Sequence, residues 1–545
     1  MNDSHDIAHA LRTEFSRHLA QAGADVALAR LGSQLEAQPL SVWLECAREV
    51  ASQLSEPAAA IWLNRAAARW PQVPQLHYWL ASMLWNLGQP EAAERELRAT
   101  LTLQPDHRDA AQLLATLLRN GGRLGAAAQV MYELSARQLD SLDAVLRGAE
   151  FIRHCQRHAL AARLCADALQ RGPAGAPLHA QVGMLALERG RFEEARGHLL
   201  EALARGVDVN TWLICGALAL AQKYRSEQHP DFALFRAQIA DSQLSVSART
   251  ATLFALAKAC DDVGRAAEAA ALWRQANAQA RIAKPWSHER FRGDIAALLR
   301  SRPAHALPAE AIVPVFVVGL PRSGTTLAAV TLARNAGVRD RGELPHLAFI
   351  AERLASGGHR NDRQALAEAA QLYYAHLRQD DAPARWYVDK TPTNFLRLDL
   401  VAEMFPQAHV VHCRRNRRDT ALSLYAQNFG HADGDFSYDF AGIAAFAEGH
   451  DELMEHWRRT LPLPIHSLDY ESLAQRPAEV AEQLRVWIGI DTTPAATQGD
   501  ASEGVIGSSS LWQAKQPVYT SSIGRWRTYA PHLAELETLF PDRTL

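Results

Sequence analysis

The stretch from Gly319 to Leu327 concentrates the residues best suited to holding an anion. It reads Gly-Leu-Pro-Arg-Ser-Gly-Thr-Thr-Leu and follows an apolar run at residues 315–318. The apolar run suits a buried parallel strand, and the glycines and the proline let the chain turn sharply into a helix. Such a turn directs backbone N–H groups and the positive end of the helix dipole at one point. The stretch therefore predicts a phosphate or sulfate site.

The side chains of this loop indicate which anion it would hold. Gly319 and Gly324 have the spacing of a Walker A loop, but Thr325 stands where a lysine would reach the terminal phosphates. An ordinary NTPase is therefore disfavoured. Arg322 supplies a forked donor that suits a tetrahedral anion, and three hydroxyls accompany it. We expect the anion to be held by Arg322, Ser323, Gly324, Thr325, Thr326 and Leu327.

Length and charge limit the classes of protein to which the chain could belong. At 545 residues, and with roughly 150 residues per domain, two to four domains are expected. The net charge of −3 offers no general basic surface for nucleic acid, so any anion site must be local. We expect no nucleic-acid partner.

The cysteines and the hydropathy of the chain indicate the cellular compartment in which it would occur. The six cysteines are scattered with no Cys-x-x-Cys pair, which favours neither a disulfide framework nor a zinc cage. The N-terminal residues show no basic region followed by an apolar core, and no apolar run approaches the roughly 20 residues of a membrane span. We expect a cytoplasmic protein without a membrane partner and without a metal site.

A 34-residue period runs through the first part of the chain. Small residues recur at this spacing at Ala59, Ala93, Ala127, Ala161 and Ala195, and glycines keep one phase at 88, 122 and 190. Helical periodicity with this repeat length is typical of tetratricopeptide repeats, whose stacked helix pairs commonly bind peptides or partner segments. After about residue 207 the phase slips, and Gly264 with Ala269 indicates a further, degenerate repeat.

These patterns predict a multidomain fold. An all-α tetratricopeptide-repeat solenoid is expected over residues 1–300, a linker over 301–312, and an α/β domain with a P-loop-like parallel sheet over 313–545. The stretch 386–395 fits another short strand that ends in a polar turn, residues 408–413 fit a third strand, and a basic cluster follows the latter. In doubly wound sheets, ligands bind at the carboxyl ends of the strands.

The stretch Pro321-Arg-Ser-Gly-Thr-Thr-Leu resembles the 5′-phosphosulfate loop of sulfotransferases, in particular the group that contains the tyrosylprotein sulfotransferases. The whole chain resembles bacterial proteins that fuse tetratricopeptide repeats to such a domain. The resemblance implies transfer of a sulfuryl group from 3′-phosphoadenosine 5′-phosphosulfate (PAPS) to an acceptor hydroxyl. The eukaryotic tyrosylprotein enzymes are Golgi membrane proteins, and this chain departs from them in that respect.

The resemblance assigns roles to residues further along the chain. Glu343, 21 residues after Arg322 in a Gly-Glu context, matches the catalytic base, and Lys390 matches the lysine that offsets charge on the sulfuryl group. The remaining matches fall at positions that contact the nucleotide: Arg415 and Ser423 for the 3′-phosphate, Tyr470 beside the nucleotide, Ser510 as a transition-state serine, and Arg525 near the 3′-phosphate.

Two departures and two alternatives stay open. Gln427 stands where the tyrosylprotein group has a nucleotide-binding arginine, and Pro345 where it has a substrate-contacting arginine. The second departure weakens the case for acidic tyrosine peptides as acceptors. Protein tyrosine, a carbohydrate hydroxyl and a small metabolite are all candidate acceptors. The alternative functions are a catalytically silent nucleotide-binding repeat scaffold and a P-loop small-molecule kinase, and Thr325 argues against the second.

Overall fold

The computed structural model describes residues 2–171, 175–303, 306–430, 432–490 and 520–541. The chain divides into two compact units, Met1–Arg171 and Gly172–Leu545. None of the helices in these described ranges is both long and apolar enough to cross a membrane.

The first unit consists of helices that pack as consecutive antiparallel pairs. These are α1 (Asn2–Ala22), α2 (Ala24–Leu35), α3 (Leu40–Ser52), α4 (Glu56–Arg69), α5 (Pro74–Asn86), α6 (Pro90–Leu103), α7 (Arg108–Asn120), α8 (Leu124–Ala136), α9 (Leu142–His154) and α10 (His158–Arg171). The alanines that carry the 34-residue period are completely buried. Small side chains there allow the two helices of a pair to approach closely, and the predicted repeat architecture is confirmed.

The turn inside each repeat requires one residue in the left-handed backbone conformation, with a positive φ. Gly88 and Gly122 adopt φ values of 69° and 77° between the helices of their pairs, and Gly190 follows with 74°. Gln156 occupies the intervening position of the same 34-residue series and also adopts a positive φ, 59°. The fold therefore imposes this conformation even where the sequence lacks the glycine that would adopt it without strain.

Helices of the repeat type continue into the second unit. They are α11 (Ala176–Glu188), α12 (Phe192–Ala204), α13 (Val209–Trp212), α14 (Ile214–Leu220), α15 (Pro230–Ala240), α16 (Val246–Asp262), α17 (Ala266–Ala283) and α18 (His288–Leu298). The hairpin of α16 and α17 turns at Gly264, whose φ is 83°, and buries Ala269 completely. These are the two residues that indicated a degenerate repeat.

A five-stranded parallel sheet follows, with the strand order β2-β3-β1-β4-β5. The strands are β1 (Val313–Gly319), β2 (Val338–Asp340), β3 (Trp386–Asp389), β4 (His409–Arg414) and β5 (Ile465–Asp469). Val315 of β1 lies opposite Val388 of β3, and Val317 lies opposite Val411 of β4. The predicted fold class, helical repeats followed by a parallel-sheet α/β domain, is confirmed. The carboxyl ends of all five strands lie along one edge.

Helices cover both faces of the sheet. They are α19 (Thr325–Ala333), α20 (His346–Ser356), α21 (Arg363–Arg378), α22 (Leu398–Met404), α23 (Arg417–Tyr425), α24 (Phe440–Thr460), α25 (Tyr470–Gln475), α26 (Pro477–Ile488), the 3₁₀ helices Pro392–Arg397 and Ala432–Tyr438, and the short helices Trp526–Tyr529 and Glu535–Thr538. Side chains alternate along β1, so Val315 and Val317 belong to one core and Phe316 and Val318 to another.

The second of these cores extends beyond the sheet domain. It is continuous from Phe316 and the buried face of the sheet to the buried residues of α16 and α17, including Trp273 and Ala276. The domain boundary predicted near residue 300 stays a prediction, whereas the compact units divide after Arg171.

Two glycines of the second unit allow a matched stability test. Gly264→Ala should lower the free energy of unfolding by about 1 kcal/mol, because an alanine at φ 83° is strained although no atom lies within 4 Å of its Cβ. Gly293→Ala, inside α18 and equally uncrowded, should raise it by about 0.5–1 kcal/mol through helix propensity. Urea denaturation of both variants measures the difference, and equal shifts would contradict the assigned turn.

Candidate functional site

The loop after β1 is fixed by close backbone packing. A Cβ on Gly319 would lie 2.5 Å from the carbonyl oxygen of Cys413 in β4, so only glycine fits there. Arg322 has φ 71° and Gly324 has φ 100° at the start of α19. Left-handed backbone at a non-glycine residue costs free energy and often occurs where function demands it. Thr325 and Thr326 form the first turn of α19, as the sequence predicted, and Leu327 packs against the sheet core.

The predicted 5′- and 3′-phosphate residues adjoin one another. The Nε of Arg322 donates to the Oγ of Ser423 at 3.0 Å, and the Nη1 of Arg415 donates to the carbonyl oxygen of Arg322 at 3.0 Å. Arg415 follows β4 directly, whereas Ser423 lies on α23. The ends of two adjacent strands thus bring together residues about a hundred positions apart in the chain.

Tyr470 completes this cluster from the end of β5. A Cβ on Gly324 would lie 2.6 Å from Cδ2 of Tyr470, so the phenol ring rests on the loop backbone. The guanidinium carbon of Arg415 lies 4.7 Å from the centroid of that ring. The Tyr470 hydroxyl is 2.6 Å from the Oγ of Ser522, whose carbonyl oxygen accepts from Nη2 of Arg415 at 2.9 Å. The segment around Ser522 therefore lies against the same residues.

Two polar atoms in this cluster lack the partners that burial demands. Ser323 is 2% exposed, and its Oγ has no hydrogen-bond partner within the described residues. The Nε of Arg415 is likewise buried without an acceptor in this part of the chain. Buried donors are almost always satisfied, so this hydroxyl and this guanidinium N–H, near a helix N-terminus, have the chemistry to bind an anion such as phosphate or sulfate.

Glu343 and Lys390, predicted as base and cation, form an ion pair. Lys390 directly follows β3, and its N–H donates to the carbonyl oxygen of Gly342 at 2.8 Å, which fixes the loop carrying Glu343. Lys390 is 5% exposed, whereas the side chain of Glu343 is 36% exposed. The pair thus presents a solvent-accessible carboxylate backed by a buried ammonium group.

Asp389 was missed by the sequence reasoning, although it directly precedes Lys390. Its carboxylate accepts hydrogen bonds from the hydroxyl of Tyr373, the amide of Asn394 at 2.9 Å, and both the N–H and the hydroxyl of Thr391 at 2.9 and 2.7 Å. Burial raises the pKa of Asp389, while the bonds from Tyr373 and Thr391 oppose that shift. This network fixes the strand end that carries Lys390.

Two of the predicted site residues, Arg525 and Ser510, are not seen in contact with this cluster. Arg525 does not contact the Arg322–Arg415 cluster directly in any described interaction but pairs with Asp261 of α16. Ser510 lies outside the described residues. The carboxylate of Asp419 on α23 accepts from the backbone N–H groups of Gly524 at 2.6 Å and Trp526 at 2.9 Å. No local sequence signal marked Asp419 or Asp261.

A cavity of about 360 Å³ opens beside the loop. Ser323, Arg415, His412 and Arg458 contribute to its lining, so it is rich in positive and polar groups. Within the described ranges, no set of three or more His, Cys, Asp or Glu residues is arranged to hold a metal ion.

The network around Asp389 makes a stability prediction. Asp389→Asn should lower the free energy of unfolding by about 2–4 kcal/mol, because the new amide group faces buried donors. Tyr373→Phe, the matched control, should cost about 1–2 kcal/mol, because one hydrogen bond is lost while the other donors to Asp389 remain. Chemical denaturation distinguishes the two, and an Asp389→Asn variant as stable as the wild type would refute this account.

Comparison with known proteins agrees with this architecture. Residues 314–494 match the family described as the sulfotransferase family, and residues 74–117 match the tetratricopeptide repeat. An uncharacterized protein of Aquifex aeolicus (strain VF5) is 33% identical over 236 residues, covering 40% of this chain and 31% of that protein. The matched part of this chain thus spans about a third of the length of that relative.

Two solved structures show more distant similarity. The Naa15/Naa10 complex bound to HypK-THB aligns with 83% of this chain and 68% of its own chain, at 14% identity and a TM-score of 0.31. Sulfotransferase STF1 from Mycobacterium tuberculosis H37Rv aligns with 61% of this chain and 99% of its own, at 14% identity and a TM-score of 0.25. By these family matches, one segment of the chain is similar to the tetratricopeptide repeat and a later segment is similar to the sulfotransferase family.

Proposed function

We propose that the protein transfers a sulfuryl group from PAPS to an acceptor hydroxyl. The observation that carries the proposal is the hydrogen-bonded cluster of Arg322, Arg415 and Ser423, beside the buried hydroxyl of Ser323 that has no partner among the described residues. The cluster lies within the segment that matches the sulfotransferase family. A protein that merely binds a nucleotide would not require Glu343 and Lys390 as well, which argues for an enzyme rather than a silent scaffold.

The loop at residues 321–327 would hold the 5′-phosphosulfate, and Arg415 with Ser423 would hold the 3′-phosphate. When bound, PAPS supplies the activated sulfuryl group. Backbone N–H groups at the start of α19 and the fork of Arg322 are suited to tetrahedral anions. Tyr470, resting on Gly324, would limit the space beside the nucleotide, and Arg525 would contribute positive charge near the 3′-phosphate.

Glu343 would act on the acceptor hydroxyl, and Lys390 on the sulfuryl group in transfer. Glu343 accepts the proton of the acceptor hydroxyl, and its exposed carboxylate is reachable by such a group. As the S–O bond to 3′-phosphoadenosine 5′-phosphate breaks and the bond to the acceptor oxygen forms, Lys390 and Ser510 would stabilise the leaving phosphate oxygen and the moving sulfuryl group. Lys390 is suited to this because its side chain is buried and its backbone is bonded to Gly342.

The repeats have a proposed role in supplying the acceptor. Stacked helical repeats commonly bind peptides, so we infer that they recruit an acceptor protein, with protein tyrosine as one candidate hydroxyl, or another partner. We infer a cytoplasmic enzyme from the scattered cysteines, all of which are buried.

Nucleotide titration tests the donor site. Calorimetry on the full chain should show submillimolar binding of 3′-phosphoadenosine 5′-phosphate and no comparable binding of ATP or GTP. Arg415→Ala should abolish most of this binding, because the guanidinium fixes both the loop and the Ser522 segment. Arg459→Ala, an exposed arginine on α24, is the matched control and should bind like the wild type. A preference for ATP would overturn the proposal and favour a kinase.

Catalysis is tested separately from binding. Glu343→Gln should lower kcat by roughly 10²–10⁴-fold in an acceptor screen with PAPS, because the variant cannot take the proton. Its affinity for 3′-phosphoadenosine 5′-phosphate should stay unchanged, since Glu343 contacts Lys390 rather than the phosphate residues. Nucleotide binding by the wild type with no sulfuryl transfer to any hydroxyl in the screen would support the scaffold instead.

A further inference from the structure

Asp261, at the end of the repeat helix α16, is bonded to the C-terminal segment of the chain. One carboxylate oxygen accepts from Nη2 of Arg525, and the other accepts from the hydroxyl of Tyr529. The two donors lie four residues apart, on and just before the short helix Trp526–Tyr529. A single carboxylate therefore contacts both that helix, through Tyr529, and the Arg525 side chain, whose direction it restricts.

The same segment touches the candidate donor site on its other side. The carbonyl oxygen of Ser522, three residues before Arg525, accepts from Arg415, and the hydroxyls of Ser522 and Tyr470 share a hydrogen bond. Asp419 binds the N–H groups of Gly524 and Trp526 from α23, the helix that also carries Ser423. The turn that bears Arg525 is thus held between the residues assigned to the 3′-phosphate and the carboxylate of Asp261.

Arg525 keeps its proton and its positive charge at this contact. Burial alone would lower the pKa of Arg525, but the carboxylate of Asp261 outweighs it and the pKa is raised. Burial, followed by Asp261, raises the pKa of Tyr529, so its phenol keeps the proton that it donates. Asp261 uses one terminal nitrogen of the fork, and the Arg525 side chain remains 33% exposed. Further N–H donors of the guanidinium can therefore serve an anion.

Neighbouring contacts show that this is a packed interface within the second unit. Arg274 of α17 forms a bidentate pair with Glu535 at 2.8 and 2.9 Å. The Trp273 and Tyr529 rings lie 5.1 Å apart, and the buried amide of Asn277 donates to the carbonyl oxygen of Tyr425 on α23 at 2.8 Å. The hairpin α16–α17 therefore packs directly on the helix that bears Ser423.

We propose that Asp261 is a positioning residue for donor binding, acting through Arg525, so that the last repeat hairpin forms part of the nucleotide site. The proposal rests on the function proposed above. A long arginine side chain loses substantial rotamer freedom on binding a phosphate, and a fixed carboxylate removes that freedom in advance. Asp261 thereby makes a helix pair of the repeat type necessary for full donor affinity.

The test is titration of the full chain with 3′-phosphoadenosine 5′-phosphate. Asp261→Asn should weaken binding by roughly ten-fold, the scale of one charge-assisted hydrogen bond, and Asp261→Glu should recover part of the loss. Glu535→Gln is the matched control, because it removes a carboxylate from another ion pair of the same interface and should change affinity less than two-fold. In turnover, Asp261→Asn should raise the KM for PAPS and leave kcat nearly unchanged.

A double-mutant cycle shows whether Asp261 acts through Arg525. Asp261→Asn should have no further effect on binding when it is added to Arg525→Ala, because the residue that it positions is already gone. A full ten-fold loss in that background, or equal losses for Asp261→Asn and Glu535→Gln, would reduce Asp261 to a structural contact and overturn the proposal. Tighter binding by Asp261→Asn would also overturn it, since Asp261 would then compete with the phosphate.

The outcomes separate this proposal from the proposed function. If the wild type does not bind the nucleotide, the proposed function fails. If the wild type binds and Arg415→Ala does not, while Asp261→Asn binds like the wild type, the donor site stands and the role of Asp261 fails. Thermal denaturation of each variant confirms that a loss of binding is measured on folded protein.

Discussion

The guanidinium of Arg415 is the contact on which the rest of the site depends. It reaches the loop backbone at Arg322, the ring of Tyr470 and the carbonyl oxygen of Ser522, three places that are far apart in the sequence. A planar, permanently charged group can satisfy acceptors in its plane while stacking on a ring, which a lysine at this position could not do. Its Nε is buried without a partner among the described residues, so this N–H is available to an anion at the site.

The parallel sheet explains why such distant residues meet. Each of the strands β1, β3, β4 and β5 ends directly before, or at, residues with a proposed role, and the ends lie along one edge in the order set by hydrogen bonding. Donor-side residues follow β1, β4 and β5, whereas Lys390 follows β3 and Glu343 lies just beyond β2. The strand order thus separates the residues proposed to bind the nucleotide from the Glu343–Lys390 ion pair along the same edge.

Much of this arrangement could be predicted from the sequence because its signals are local. The loop after β1 depends on glycines whose backbone must approach a neighbour, and the repeats depend on small residues and turns at a constant spacing. These requirements act over a few residues and leave a visible pattern. Even Gln156, which breaks the glycine series, adopts the turn conformation that the pattern predicts.

The parts that could not be predicted depend on contacts between remote segments. Asp261 and Arg525 are separated by 264 positions, and Asp419 binds backbone N–H groups more than a hundred residues away. An aspartate in a helix carries no local sign of such a partner. The extent of the sheet core into the last repeat helices could not be predicted either, because apolar residues that face a neighbouring helix and apolar residues that face the sheet share the same periodicity.

That shared core has a consequence for how such a protein could arise. A recombination event that joined the sheet domain to new repeats at residue 301 would separate Trp273 and Phe291 from the apolar surfaces they cover. The segment that can pass intact from one gene to another is therefore the whole second unit, with its own repeat hairpins attached. Repeats could therefore be added or lost on the N-terminal side of that unit without exposing its core, whereas loss of the α16–α17 hairpin would expose it.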